Sequence, residues 1–313
     1  MLRVYPYCLL VFLLLCLTTC QKNKESLGYQ TEKVIILVMD GARYSETFGD
    51  STYQYIPHLA NDLAPEGVVN TCFYNRGRTK TVSGHAALVT GNYQFIENSG
   101  IGVPENPSIF QLWRAAHDKD STAAWVISSK HKVEVVSNCT NPDWADKYRP
   151  SRNCGTAGLG TNNRQDGATM AAAKEILTTH QPELVLVNFI EPDSSGHANI
   201  WEDYLTGIVQ TDEYIYQMWN FIQSHPFYKN TTTLFVTNDH GRHLEGINDG
   251  FKSHGDDCEG CQHVFFYAYG PDFKKNTTFA IQKELPDIAA TIAEMLDFEI
   301  PKSDGRVMTE LFK

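Results

Sequence analysis

The chain has 313 residues, of which 42% are hydrophobic and 20% are charged, and this composition is typical of a globular protein and excludes an intrinsically disordered one. The formal net charge of −11 argues against a basic surface for binding nucleic acid. The acidity still allows an anionic substrate, because bound metal ions reverse the local field inside a site.

The N-terminal segment, residues 1–20, has the features of a targeting signal. Arg3 precedes an apolar run from Cys8 to Leu17, which is too short for a transmembrane helix and has the length of a signal-peptide core. The segment ends at Cys20 in a pattern that resembles a bacterial lipobox, although Thr19 stands where a small residue is usual. We expect an extracytoplasmic protein, in the periplasm or attached to the membrane by a lipid on Cys20. The alternatives are a secreted protein with an ordinary cleaved signal, or an uncleaved anchor.

Five cysteines follow this segment, and an exported location would permit disulfides between them. Cys139 with Cys154 could close one loop, and Cys258 with Cys261 could close a tight one, which leaves Cys72 as a buried thiol. The spacing of Cys258 and Cys261 also fits zinc ligands. Because the sequence has no second such pair, a local disulfide or two free thiols are a better interpretation than a zinc site.

Residues 21–313 are predicted to form a single catalytic domain in which apolar strands alternate with helices. The strands are expected at Val34–Met39, Ala123–Ser128, Leu184–Ile190, Thr233–Thr237 and Val264–Ala268. The helices are expected at His85–Thr90, Pro107–Ala116, Asp166–Thr178, Trp201–Ser224 and Pro286–Leu296. Uninterrupted apolar strands between helices predict an α/β fold, a three-layer α/β/α sandwich with a mainly parallel central sheet.

Residues 132–163 depart from this alternation. The stretch contains prolines, several glycines and asparagines, and two of the five cysteines. We predict an irregular insert, which in a compact domain is usually functional or disordered.

Potential metal ligands occur after the predicted strands, and they are Asp40, Asp193 with His197, Asp239 with His240, and His254. Carboxylates and neutral imidazoles are the ligands of zinc and similar divalent ions. In open α/β sheets the ligand site lies at the carboxyl ends of the strands. A single Asp-Gly after a strand is usually a turn, so it is the joint occurrence that favours a metal site.

A hydroxyl nucleophile is available at Thr81, in a segment that leads into a predicted helix. The positive end of the helix dipole favours a threonine alkoxide, and a bound metal would lower the pKa of the hydroxyl. Taken alone, Thr81 is better interpreted as a helix N-cap. Arg76, Arg78 and Lys80 precede it and could reach a phosphate, although most such clusters are solvated.

Together these motifs resemble the alkaline phosphatase superfamily, in particular its nucleotide pyrophosphatase/phosphodiesterase branch. The matching motifs occur in the family's order from residue 34 almost to the C-terminus. They are Asp40-Gly41, Thr79-Lys80-Thr81 followed by His85 and Thr90-Gly91, the segments EPDSSGH and NDHG, and His254-Gly255 before Gly270-Pro271.

The resemblance implies a metal-dependent hydrolase that cleaves phosphate esters, either diesters or monoesters, with two divalent ions, zinc in this family. The implied ligands of one ion are Asp40, Asp239, His240 and Thr81, and those of the other are Asp193, His197 and His254. Thr81 would attack phosphorus and form a phosphothreonine, which water would then hydrolyse. The implied partner is a small-molecule phosphate ester.

The chain departs from that branch near the nucleophile. Val82-Ser83-Gly84 replaces the family's Phe-Pro-Asn, and the family's oxyanion-binding asparagine has two candidates, Asn98 and Asn106. We favour Asn98, which is nearer to Thr90-Gly91. His243 and His263 lie near the ligands in sequence and are expected to support the site from outside or to lie at the surface.

Two alternative functions are compatible with the same fold. A sulfatase or phosphonate hydrolase is one, but the nucleophile segment lacks the Cys/Ser-x-Pro-x-Arg context that sulfatases need. A surface lipoprotein without catalytic activity is the other, and a missing ligand or nucleophile would favour it. None of the expected residues is missing from the sequence.

Overall fold

The computed structural model describes residue 1 and residues 28–313. The predicted signal core from Cys8 to Leu17 and the predicted lipid site Cys20 lie outside the described residues. Within residues 28–313, no helix combines the length and the apolar character needed to cross a membrane.

A nine-stranded sheet forms the centre of the fold. Its strands are β1 Lys33–Met39, β2 Val68–Tyr74, β3 Ala124–Ser128, β4 Ser151–Cys154, β5 Leu184–Phe189, β6 Thr232–Thr237, β7 His263–Tyr269, β8 Thr277–Phe279 and β9 Lys283–Glu284. The strand order is β4-β3-β5-β1-β6-β7-β2-β8, and β9 also pairs with β2. Five adjacent strands run parallel to one another, and they are β4, β3, β5, β1 and β6. Strand β7 is antiparallel to both of its neighbours, β6 and β2. The prediction of a mainly parallel sheet is confirmed.

Helices cover both faces of this sheet. They are α1 Thr81–Thr90, α2 Ile109–Ala116, α3 Asp166–His180, α4 Asp193–His197, α5 Trp201–Ser224, α6 Glu259–Gln262 and α7 Leu285–Met295. Val34, Ile36 and Val38 of β1 belong to the core under α1, α2 and α7, and Ile35 and Leu37 belong to the core under α3 and α5. Successive side chains of a strand point to opposite faces, so this continuous apolar run is buried on both. The predicted three layers are therefore present.

The strands that the sequence pattern missed, β2, β4, β8 and β9, lie towards the two edges of the sheet. Strand β4 (SRNC) is at the edge of the sheet and is mostly half-exposed, so it does not need the apolar run that marks a central strand. It falls within the predicted irregular insert, as does most of a 3₁₀ helix at His131–Ser137. The expectation of an irregular stretch over residues 132–163 is therefore wrong for these two segments.

The five cysteines in residues 28–313 are free thiols, and neither of the two possible disulfides is formed. Cys154 ends β4, and its thiol donates to the carbonyl oxygen of Val126 on β3 over 3.5 Å, which holds it in the sheet. Cys139 is buried in the preceding loop. Cys72 is half-buried, not buried as expected.

Candidate active site and metal centre

The carboxyl ends of four neighbouring strands carry buried polar side chains. Asp40 follows β1, Lys130 follows β3, Asp193 follows β5 and Asp239 follows β6. Because β3, β5, β1 and β6 are adjacent and parallel, their carboxyl ends meet at one edge of the sheet. Asp40 and Asp239 are fully buried, and Lys130 and Asp193 are each only 3% exposed.

Asp40, Asp239 and His240 form the first ligand group, in which one atom of each side chain lies within 4.8 Å of the others. Nε2 of His240 lies 3.6 Å from Oδ1 of Asp40 and 3.3 Å from Oδ2 of Asp239. Gly41 follows Asp40 with a φ of +73°, and a Cβ at this position would lie 2.8 Å from the side chain of Asp193. The turn that presents Asp40 therefore requires glycine.

Asp193, His197 and His254 form the second ligand group. Oδ1 of Asp193 lies 3.5 Å from Nε2 of His197 and 3.4 Å from Nε2 of His254. Asp193 and His197 are four residues apart on α4, a spacing that places both side chains on one helix face. The ring of His254 is oriented by its Nδ1, which lies 2.7 Å from the carbonyl oxygen of Thr79. The side chain of His197 is 50% exposed, so the second group is open to solvent and the first is closed.

Several buried polar atoms of the first group are unpaired. Oδ2 of Asp40, Oδ2 of Asp239 and Nε2 of His240 have no hydrogen-bond partner among the residues that the structure describes. An unpaired buried polar group costs about 1–3 kcal/mol. Coordination of a divalent ion would satisfy all three atoms, and the mixture of carboxylates and imidazole fits such an ion. The structure thus brings together the carboxylate and imidazole ligands of both predicted sets. The binding of metal by these side chains, and the coordination of Thr81 to the first ion, stay predictions.

Burial and nearby charges set the protonation of these groups. Burial raises the pKa of Asp40 to about 7, and the negative charge of Asp239 adds to the rise. Burial also opposes ionisation of Asp193, but Lys130, His254, Arg242 and His240 together outweigh it and hold the pKa of Asp193 well below its usual range. Burial lowers the pKa of His240 to about 4, so its imidazole is neutral at neutral pH, which is the form that binds metals.

Lys130 lies between the two ligand groups. Its Nζ is 2.8 Å from Oδ1 of Asp40 and 2.5 Å from Oδ2 of Asp193. The same atom is 3.2 Å from Oγ1 of Thr81. Lys130 was not predicted from the sequence, because a lysine is not a metal ligand in this chemistry. Its place two residues after the strand expected at Ala123–Ser128 was the available indication.

Thr81 is the first residue of α1 and is 1% exposed. Lys80 occupies the N-cap position, so the interpretation of Thr81 as the N-cap is wrong. Gly84, one turn further along, lies directly against the main chain of Asp239, and a Cβ there would collide with the carbonyl oxygen of Asp239. The missing side chain lets α1 approach the first ligand group closely and brings the Thr81 hydroxyl to Lys130.

The two asparagine candidates have different surroundings. Oδ1 of Asn98 accepts a hydrogen bond from the main-chain N–H of Val82 over 3.0 Å, which places the amide beside Thr81. Asn106 instead donates from Nδ2 to Oδ1 of Asn92 over 3.2 Å. Asn98 is therefore the candidate next to Thr81, and its role in binding an oxyanion stays a prediction.

Two of the three basic residues before Thr81 are engaged within the protein. Nη1 of Arg76 donates to Oε1 of Gln262 over 2.7 Å, and Nζ of Lys80 donates to the carbonyl oxygen of His254 over 2.8 Å. Arg76 and Arg78 are both exposed, and the guanidinium of Arg78 lies over the ring of Phe95, 4.3 Å from its centroid.

Two further buried residues contact the ligand groups and were not predicted to do so. Nδ1 of His85 lies 2.8 Å from the carbonyl oxygen of Thr81 and 3.3 Å from Oδ2 of Asp239. The guanidinium of Arg242 donates to Asp193. Each side chain helps to orient a predicted ligand. The available sequence signal was their position, since His85 lies in the recognised segment that begins at Thr79 and Arg242 comes directly after NDHG.

The histidines expected outside the ligand groups do lie outside them. The ring of His263 is stacked against Tyr44 at 3.8 Å and against Tyr74 at 4.6 Å between ring centroids. His243 is buried and lies beside Asp249 and Asp256. Neither imidazole contributes an atom to the two ligand groups.

Comparison with known proteins places the chain in a family. Residues 32–300 match the sequence profile of the Metalloenzyme superfamily. A phosphopentomutase from Clostridium novyi (strain NT) is 28% identical over 159 residues, which make up 50% of this chain. The aligned part covers 37% of the length of that protein.

Solved structures with the same fold include murine ectonucleotide pyrophosphatase/phosphodiesterase 5, with a TM-score of 0.65 and 16% identity over 90% of this chain and 100% of that one. An inactive threonine-to-alanine variant of the same murine protein, in complex with AMP, aligns with a TM-score of 0.64. The phosphonate monoester hydrolase of Silicibacter pomeroyi aligns with a TM-score of 0.63 and 14% identity, over 89% of this chain and 76% of that one. The chain therefore belongs to the Metalloenzyme superfamily and has its alkaline-phosphatase-like fold.

Proposed function

We propose that this protein is a metal-dependent hydrolase of phosphate esters, with Thr81 as its nucleophile and two zinc ions as its cofactors. The observation that carries the proposal is the position of Thr81. Its hydroxyl lies at the N-terminus of α1, 3.2 Å from the ammonium of Lys130, which itself contacts Asp40 and Asp193. The nucleophile is thus linked through one side chain to a carboxylate of each ligand group.

The two ligand groups would each hold one divalent ion. When bound, such a pair lowers the pKa of the attacking hydroxyl and offsets the charge of the transferring phosphoryl group. The first group is closed and the second is open at His197, so a substrate would enter from the side of the second group.

The protein's own residues support an in-line displacement at phosphorus. Oγ1 of Thr81 attacks, the bond to the leaving alkoxide breaks, and the product is a phosphothreonine with release of an alcohol. The positive end of α1 and the ammonium of Lys130 favour the threonine alkoxide. The amide of Asn98, whose Oδ1 accepts from the main chain of Val82, would donate from Nδ2 to a phosphoryl oxygen. Hydrolysis of the phosphothreonine by water returns Thr81 and releases phosphate or a phosphate monoester.

A phosphate diester is the proposed substrate class, ahead of a monoester. Arg76 and Lys80, which would favour the extra charge of a monoester, are already bonded to Gln262 and His254. The murine structural neighbour is named a pyrophosphatase/phosphodiesterase, and its inactive threonine-to-alanine variant holds AMP. The contacts of Arg76 and Lys80 support a diester over a monoester. The murine neighbour supports a threonine-dependent diesterase.

Phosphoryl transfer without hydrolysis is the second candidate, because the curated relative is a phosphopentomutase. A mutase returns the phosphoryl group to its substrate, whereas a hydrolase passes it to water. Phosphonate hydrolysis is supported by one structural neighbour, and sulfate hydrolysis is disfavoured by the missing Cys/Ser-x-Pro-x-Arg context.

One panel of substrates separates these functions. It contains nitrophenyl esters of phosphate, of a phosphate diester, of a phosphonate monoester and of sulfate, together with a pentose phosphate. We expect the diester to be cleaved fastest, sulfate hardly at all, and a chelator to abolish activity until zinc is restored. A preference for sulfate, activity insensitive to chelation, no cleavage by the metal-loaded protein, or isomerisation of the pentose phosphate without release of phosphate would contradict the proposal.

A further inference from the structure

A third group of potential metal ligands lies outside the active site. His243, Asp256, Cys258 and Cys261 each present one ligand atom within 4.8 Å of the others. His243 and Cys261 are buried, and Asp256 and Cys258 are half-buried. The group lies in the segment between β6 and β7, where Cys258 is the N-cap of the short helix α6 and Cys261 lies within that helix.

The two ring nitrogens of His243 have different neighbours. Nδ1 lies 3.1 Å from Oδ1 of Asp249, and Nε2 lies 3.1 Å from Oδ2 of Asp256. Nε2 also lies 3.4 Å from Nδ2 of Asn248. A hydrogen bond from Nδ1 to a carboxylate leaves the lone pair of the neutral ring on Nε2. Metal-binding histidines usually have such a carboxylate or carbonyl partner on the other nitrogen.

Main-chain hydrogen bonds bring the two thiols towards this histidine. The N–H of Cys258 donates to Oδ1 of Asp256 over 3.1 Å, and the N–H of Cys261 donates to the carbonyl oxygen of Cys258 over 3.0 Å. The main chain of Gly241, two residues before His243, donates to the carbonyl oxygen of Cys261 over 2.8 Å. The Cys-x-x-Cys turn is therefore bonded to the segment after β6 that contains His243.

We infer that His243, Asp256, Cys258 and Cys261 bind a structural zinc ion, separate from the two ions proposed for the active site. Two thiolates, an imidazole and a carboxylate make a complete four-coordinate donor set, and Cys-x-x-Cys is a usual spacing in structural zinc sites. The two sulfur donors select zinc over magnesium or calcium. A donor set with no open position is structural and not catalytic.

This ion would hold the loop that carries His254. The chain leaves the group at His243, passes through His254 and returns to the group at Asp256. The carbonyl oxygen of Asp256 accepts a hydrogen bond from Oγ1 of Thr79 over 2.6 Å, and the carbonyl oxygen of Thr79 contacts the ring of His254. The ion would thus stabilise the segment before Thr81 and one ligand of the second group without touching substrate.

A disulfide between Cys258 and Cys261 is the competing state in an oxidising compartment. Both thiols are free in the structure, and a disulfide would remove two of the four donors. The chemical state of these two sulfur atoms therefore decides between the alternatives.

Cobalt(II) substitution of the full-length protein tests the inference. A thiolate–cobalt bond gives a near-ultraviolet charge-transfer band, and the two active-site groups contain only oxygen and nitrogen donors. We expect the band in the wild type and its loss in the double variant Cys258→Ser/Cys261→Ser, with a loss of about one zinc per chain, the content of one such site. Cys72→Ser, at the half-buried cysteine outside the group, is the matched control and should keep both the band and the zinc.

The wild-type spectrum decides the question even if the double variant does not fold. A cobalt-loaded wild type without the band would overturn the inference, and so would peptide mapping of the exported protein that finds Cys258 bonded to Cys261. The result is independent of the active site, because an Asp239→Asn protein should still show the band whether or not it hydrolyses esters.

Discussion

Nζ of Lys130 lies 3.2 Å from Oγ1 of Thr81, at the carboxyl end of β3. The same ammonium contacts Asp40 and Asp193, one carboxylate from each ligand group. A buried cation at this point compensates negative charge that would otherwise be left unpaired in the protein interior. Lys130 thus joins the proposed nucleophile to both groups through one side chain.

Lys130→Met is expected to destabilise the metal-free protein more than the metal-loaded one. Removing one partner of a buried ion pair costs about 3–5 kcal/mol, because a buried charge is left uncompensated. Divalent ions beside Asp40 and Asp193 would supply part of that compensation. Thermal unfolding of the variant and the wild type, with zinc and with chelator, measures the difference.

The control for this comparison is Lys119→Met, which removes a partly exposed ion pair with Glu183. Such a pair contributes about 0–1 kcal/mol, so the change should be small and the same in both metal states. Equal losses of stability for Lys130→Met with and without zinc would show that Lys130 does not balance the ligand carboxylates.

Asn98→Ala is expected to lower kcat on phosphate esters by about 10²–10³-fold, the usual effect of losing one oxyanion donor. Asn106→Ala is the matched control, because the side chain of Asn106 donates to Asn92 and not to the segment of Thr81. Steady-state kinetics of both variants on the diester provide the measurement. If the two variants slow turnover equally, Asn98 has no special role.

The ligand residues could be predicted from the sequence because each stands directly after a buried strand or within a short motif. Asp40 and Asp239 end apolar runs whose burial on both faces fixes them as central parallel strands. The common direction of those strands then brings their carboxyl ends together. Topology therefore predicted that the ligands after these strands lie at one edge of the sheet, and the family resemblance implied their division into two groups.

Other parts of the structure depend on tertiary contacts that leave little trace in the sequence. Strand β4 is short and polar because an edge strand is buried on fewer sides, and the role of Lys130 depends on β3 lying next to β5. The approach of His243 to Cys261 depends on the path of the loop between β6 and β7. No periodicity encodes that path, so the third group could not be recognised from the single Cys-x-x-Cys pair.

The membrane attachment of the protein stays a prediction that rests on Cys20. Cys20→Ser should move the protein from the membrane fraction to the soluble fraction if a lipid on this cysteine is the anchor. Fractionation followed by immunodetection measures the shift, with Cys16→Ser, inside the preceding apolar run, as the control. A Cys20→Ser protein that stays with the membrane would indicate an uncleaved N-terminal anchor.

Turnover and metal content, measured together on Thr81→Ala, give the most direct test of the proposed chemistry. We expect Thr81→Ala to lose turnover of the diester on the order of 10³-fold or more, since removing a nucleophile has effects of at least that size. It should keep its zinc, because Asp40, Asp239 and His240 remain, whereas Asp239→Asn should lose both zinc and activity. A Thr81→Ala protein with full activity and full zinc content would contradict the assignment of Thr81 as the nucleophile.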